Sequence, residues 1–324
     1  MLPIKNGLNP SRVRVPEQWA GQTVEALLRH LIDTQRYRAP EDDEAALQRR
    51  FDSGEVVDGH GVVLAPTDVL RVDQDVWFHR MPAPEDPVPF EVKILYQDED
   101  IVVVDKPHFL ATFPRASHIT ETVLVRLRRQ LGNDELSPAH RLDRMTAGVL
   151  LLTARREVRG AYQELFARRQ ASKTYEAIGA YLPDLQEGMV WRHRMDKTHG
   201  DVRARVVEGE PNAITRLGSI TPLDAAEQAH LEAAHGPQPP LARYVLHPAT
   251  GRTHQLRVHM WLAGAPILGD PVYPVFDRQA HNDFGKPLHL VARTLEFCDP
   301  LSGQNRRFVS QHTCTDCVVP DNAC

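Results

Sequence analysis

From Val24 to Ile32 apolar side chains recur at helical spacing, and Gly54–Gly61 followed by Val62–Leu64 reads as a turn between short strands. The start of the chain therefore predicts a small α+β unit. Met81–Pro89, MPAPEDPVP, is rich in proline and acid and reads as an extended linker, which divides residues 1–88 from a larger domain at 89–308. Beyond it, Lys93–Tyr96 and Ile101–Val104 flank the polar turn QDED and predict a β-hairpin. Thr122–Leu131 carries Val123, Leu124, Leu127 and Leu131 on one helical stripe, with Arg126, Arg128 and Arg129 expected to be exposed. Residues 157–168 repeat that arrangement between strand-like runs at Val149–Thr153 and Lys173–Ala180. The segment 182–240 ends in an Ala/Glu/His-rich stretch and GPQPP, and reads as a peripheral insertion with its own short helix. Ala242–Leu246 then predicts a strand, His247–Gly251 a turn, and Thr253–Ala263 a helix stopped by Gly264. Residues 309–324 read as a mobile polar tail, and the whole as a mixed α+β protein.

Composition changes little in this picture. The 324 residues are 42% hydrophobic and 25% charged, with no apolar run near the roughly 18 residues of a membrane span. Met1–Pro10 has no apolar core of signal-peptide length, so the cytoplasm is the expected location. All four cysteines, Cys298, Cys314, Cys317 and Cys324, fall late in the chain. Cys314 and Cys317 form a C-x-x-C near His312, but no second half-site completes a zinc site, so neither a disulfide framework nor a metal is expected. Net charge is -5, which argues against a nucleic-acid binder held by total charge. Its distribution points elsewhere: residues 1–103 carry -8, residues 104–175 carry +6 and the remainder -3. A positive band inside an acidic protein can focus a polyanion on one face, although a charge run also serves as a solvated helix surface.

The chemistry concentrates where a polar cluster runs into an apolar strand, at HRLDRMTAGVLLLTA from His140 to Ala154. On residue type alone, Asp143 between Arg141 and Arg144 reads as a salt-bridged turn aspartate. The stretch, however, closely resembles the HRLDxxTSGLLLLA signature of RluA-like RNA pseudouridine synthases, with Ala147 and Val149 where serine and leucine are usual. VVVDKPHFL resembles the family's DKPxGL turn without its glycine, KTYEAI its KxY segment, HPATGRTHQLRVHMWLAGAPILGDPVY its long C-terminal signature, and LHLVARTLEF its final strand. Together these span roughly residues 90 to 300. The stretch from Asp52 to Phe78 loosely resembles the strand-rich half of an S4-like RNA-binding module, while the acidic patch Glu41–Glu44 suits a purely structural unit.

The resemblance implies a mixed, largely antiparallel sheet and the isomerisation of uridines in ribosomal or transfer RNA. It implies Asp143 as the catalytic carboxylate, Arg257 as its cationic partner and Tyr175 as a ring that stacks on the displaced base. It also makes Arg141 a candidate for filling the gap left by a flipped uridine or contacting its phosphate. Arg144, Arg252, His254 and Gln255 are candidate RNA contacts, with support of the turn by buried hydrogen bonds the alternative for His254 and Gln255. Substrate and product are isomers, so no cofactor or metal is expected and RNA is the expected partner. Two other readings stand beside this one: an RNA-binding assembly factor that has lost catalysis, and an aspartate-dependent glycoside or nucleoside hydrolase. The second would want a paired carboxylic acid, and no such motif is present.

Overall fold

The structure, a computed structural model, describes residues 2–316, which form two compact units. The first comprises Met1–Pro87 and Phe113–Asp134. In it, strands β1 (Ser11–Arg14), β2 (Val56–Asp58) and β3 (Asp75–Phe78) form an antiparallel sheet in the order β1-β3-β2. Helices α1 (Val24–Asp33) and α2 (Glu44–Asp52) start at Thr23 and Asp43, whose side chains accept from the free N–H groups of Ala26 and Ala46. Val24, Leu27, Leu28, Leu47 and Phe51 pack with Val76 and Phe78 of β3. Gly54–Gly61, read as a turn, contains β2, because the tight turn lies at Asp58–Gly61.

Helix α3 (Val123–Leu131) also belongs to this first unit, although the sequence assigned it to the larger domain. The reason is polar. Arg128, expected to be exposed, is buried and donates to the Gly7 carbonyl and to Asn9 Oδ1, each at 3.1 Å. Glu85 accepts from the backbone N–H groups of Ile119 and Thr120 at 2.8 and 2.7 Å. The basic band of residues 104–175 is therefore divided between the units. A chain beginning at Pro87 would keep α3 while losing these acceptors, each orphaned buried donor costing about 1–3 kcal/mol. We expect its thermal unfolding midpoint to fall by several degrees. An unchanged midpoint would mean that α3 holds its place without residues 1–86.

The second unit comprises Val88–Thr112 and the chain from Glu135 onward. Its strands are β4 (Lys93–Gln97), β5 (Ile101–Lys106), β6 (Ser137–Pro138), β7 (Ala147–Thr153), β8 (Ser172–Ala180), β9 (Val190–Asp196), β10 (Arg205–Val207), β11 (Ala213–Pro222), β12 (Leu241–Pro248), β13 (Leu290–Cys298) and β14 (Asn305–Val309). The helices are α4 (Arg159–Ala167), α5 (Ala225–His235) and α6 (Gln255–Leu262). The strands make one sheet in the order β10-β9-β11-β12-β8-β13-β7-β5-β4, with β14 added on β13 and β6 on β7. β13 and β7 pair in parallel and the others antiparallel. β5 and β7 are buried on both faces, which explains their unbroken apolar runs. Tyr162 and Leu165 of α4 pack on Ile101, Val103, Val149, Leu151, Leu295 and Phe297.

Segment 182–240 lies at one edge of the main sheet and carries its own helix, but it also holds three strands that the sequence did not predict. β11 pairs with both β9 and β12, so three of its strands extend the main sheet, and α5 follows them. The described part of the C-terminal tail is tied down as well: Ser310 Oγ and the Gln311 N–H donate to buried Asp105 at 2.7 and 2.6 Å. Cys298 and Cys314 are free thiols; Arg243 Nε donates to Cys314 Sγ at 3.3 Å. Cys317 and Cys324 lie outside the described residues. Among the described residues no helix is long and apolar enough to cross a membrane.

Candidate active site

Asp143 sits in the loop that enters β7, and its backbone is clamped from several sides. The Thr146 N–H donates to the Asp143 carbonyl at 3.0 Å, closing a turn. Thr112 Oγ1 donates to the Leu142 carbonyl at 2.8 Å and accepts from the Leu142 N–H at 3.2 Å. Lys106, fully buried, donates to the carbonyls of Pro107, Leu110 and Arg144 at 2.8, 2.7 and 3.1 Å, one acceptor for each ammonium proton. Burial first, and then the charge of Arg144, push the Lys106 amine well below its usual range. Gly148 follows in β7 at φ 113°, where a Cβ would fall 2.3 Å from the Ala292 carbonyl oxygen, so glycine is required for β13 to lie alongside.

The Asp143 side chain opens on a cleft of about 540 Å³ in which it is the one carboxylate among the lining residues. Three basic groups face it: Arg141 NH2 at 3.7 Å, Arg257 NH1 at 3.8 Å and His254 Nε2 at 3.9 Å. Burial alone pushes the Asp143 carboxyl up, and the surrounding positive groups outweigh it, leaving the acid below its ordinary value. His254 is itself held down to about 4 by burial, so at neutral pH the arginines supply that charge.

Arg257 is fixed by Asp270, a residue not among the candidates read from the sequence. Its Nε and NH2 donate to Asp270 Oδ2 and Oδ1 at 2.7 and 2.6 Å, leaving NH1 directed at Asp143. The Asp270 side chain, 1% exposed, also accepts from the backbone N–H groups of Val272 and Tyr273 at 2.8 and 3.2 Å. This double fork makes the cation a rigid part of the wall. His254, at φ 58° ahead of α6, hydrogen-bonds through Nδ1 with the Tyr273 hydroxyl at 3.0 Å. The same hydroxyl accepts from the Ala204 N–H at 2.8 Å, linking the β9–β10 connection to the site.

The other predicted residues divide. Tyr175 of β8 lines the cleft, and burial, then the charge of Asp143, raise its phenol above the usual value. Arg252 lines the cleft and donates through Nε to the Asn212 carbonyl at 3.3 Å. Gln255, 4% exposed, is saturated: Oε1 accepts from Thr250 Oγ1 and the Arg252 N–H at 2.7 and 3.1 Å, while Nε2 donates to the Ile214 carbonyl and Thr215 Oγ1 at 3.0 and 2.9 Å. It supports the turn and has nothing left for RNA. Arg144 is turned away from the cleft lining and donates to the His281 carbonyl at 2.7 Å and Asn282 Oδ1 at 2.9 Å. Asp270, Tyr273, Lys106 and Lys173 all lie inside stretches whose resemblance was noted; being a charged or hydroxylated residue in such a stretch was the available signal.

A mixed sheet thus presents one carboxylate in a cleft lined by basic side chains. Residues 100–261 match the family described as RNA pseudouridylate synthase. An uncharacterized RNA pseudouridine synthase of Synechocystis sp. is 30% identical over 275 residues, 80% of this chain and 86% of that protein. The dual-specificity RNA pseudouridine synthase RluA of Salmonella typhi is 32% identical over 223 residues, 66% of this chain and 90% of its own length. Among solved structures, human RNA pseudouridylate synthase domain containing 1 shares the fold, with a TM-score of 0.53 at 23% identity over 71% of this chain and 86% of that one. The chain belongs to the RluA-like family of RNA pseudouridine synthases and is an enzyme that isomerises uridine in RNA.

Proposed function

We propose that the target is a uridine of ribosomal or transfer RNA, turned out of a loop or helix end into the cleft, and that Asp143 reacts with it. The observation that carries this reading is the Asp143 carboxylate facing Arg257 NH1 at 3.8 Å while Asp270 holds the guanidinium from behind. The arrangement keeps a partly buried carboxylate ionised, ready to attack C1′ or C6 or to take the C2′ proton. The N1–C1′ bond breaks, the base turns, a C5–C1′ bond forms, and the C5 proton leaves while N1 gains one. Tyr175 stays a phenol at neutral pH, so its part is to stack on the turned base and donate a hydrogen bond. Arg141 and Arg252 take phosphates or the gap left by the base.

Because C5–H is lost, RNA carrying tritium at uridine C5 should release tritium to water in proportion to product. A map of pseudouridines in cells with and without the gene should show which rRNA or tRNA position disappears. Release of free uracil in place of tritium would mean hydrolysis, and neither product would leave an RNA-binding protein without this chemistry.

A further inference from the structure

The charge inventory of the cleft does not close. Its basic lining residues are Arg141, Arg169, Lys173, Arg252 and Arg257, against the single carboxylate of Asp143. Arg257 is taken up by Asp270, Arg141 faces Asp143, and Arg252 has the Asn212 carbonyl. Lys173 and Arg169 have no carboxylate within 4.0 Å among the described residues. Lys173 Nζ stands 4.8 Å over the Phe166 ring, and burial, with no opposing acid, lowers its amine to about 8. Arg169 follows the end of α4 in the left-handed backbone region, at φ 58°; its N–H donates to the Phe166 carbonyl at 3.1 Å, and it lines the same cleft as Phe166 and Lys173.

Strand geometry relates this end to the chemistry. Lys173 and Tyr175 are two residues apart on β8 and project from one face, about 7 Å apart along the strand, the scale of a single nucleotide. A protein of net charge -5 that concentrates unneutralised cations here is arranged for an anion. We propose that Lys173 and Arg169 form a subsite for a phosphate of the substrate RNA, about one nucleotide from the uridine at Asp143. This rests on the assignment of the cleft as the uridine site. The competing account is local: Lys173 packs on Phe166, and both cations complement the C-terminal end of α4.

The test is the salt dependence of binding by a stem-loop RNA that the wild-type protein isomerises. In Lys173→Met, which keeps the stem over the Phe166 ring, Kd at low salt should rise about three- to tenfold, and the slope of log Kd against log salt should shrink by about 0.7, one phosphate's share. Arg169→Gln should do the same, and the double variant should lose little more, because both cations hold one phosphate. Lys173→Arg should retain the wild-type slope. A Lys173→Met protein that binds weakly with the wild-type slope overturns the subsite in favour of packing, as do two variants that each remove a separate share. If Lys173→Met fails to fold, the exposed Arg169 decides: an unchanged slope in Arg169→Gln overturns the proposal. If the wild-type protein releases no tritium from any RNA, the cleft assignment itself fails, an outcome separate from the slopes.

Discussion

In Asp143→Asn, tritium release under single-turnover conditions should fall by at least about a thousandfold while the protein folds and holds RNA. The fold survives because the clamps on this loop use backbone atoms of residues 142–146, and Arg257 keeps its fork on Asp270. Binding should be equal or tighter, since the substitution removes a negative charge from a cleft that receives phosphates. Thermal unfolding within a few degrees of wild type confirms that the loss is chemical. Release within tenfold of wild type would end the assignment of Asp143.

Arg257→Met has the second large effect, and it is double. Asp270 is 1% exposed, so removing its partner strands a buried carboxylate, which costs about 3–5 kcal/mol of stability. Asp143 also loses a nearby cation; the burial that pushes its carboxyl up is opposed by less, and its pKa climbs. In the proposed chemistry Asp143 reacts in its ionised form, so the acidic limb of the kcat profile should move to higher pH. Adding Asp270→Asn removes the stranded charge, and the double variant should regain stability without regaining activity. Near-normal turnover of Arg257→Met at both acidic and neutral pH would remove Arg257 from the site.

What the sequence made legible was local. The hairpin of β4 and β5 and the helix α6, read as Thr253–Ala263 and observed as Gln255–Leu262, follow from periodicity and a terminal glycine. β9 and β11 were missed because a strand such as VWRHRMD alternates half-buried aromatic or apolar positions with exposed arginine-bearing ones, a pattern with too few apolar residues to stand out from a polar loop. The stripe on α3 was visible in the spacing, but not the Gly7 carbonyl that draws Arg128 inward across 121 residues. Asp143, Tyr175 and Arg257, which line one cleft, were singled out through resemblance. Asp270, although only 13 residues from Arg257, declares its role when the intervening loop is folded. The spent amide of Gln255 and the turn of Arg144 toward residues 281–282 were equally invisible, since residue type gives hydrogen-bonding capacity and not its partner.

The placement of β13 bears on how the enzyme comes into being. It lies between β8 and β7, yet it is made more than a hundred residues after either. A nascent chain that stops before residue 290 has two strand edges facing a missing neighbour in the middle of its sheet, beside the loop that bears Asp143. The sheet is closed from its centre by a strand made after both its neighbours, so the walls of the cleft can be joined only once residues 290–298 exist, and a chain cut short before them offers open edges to other strands.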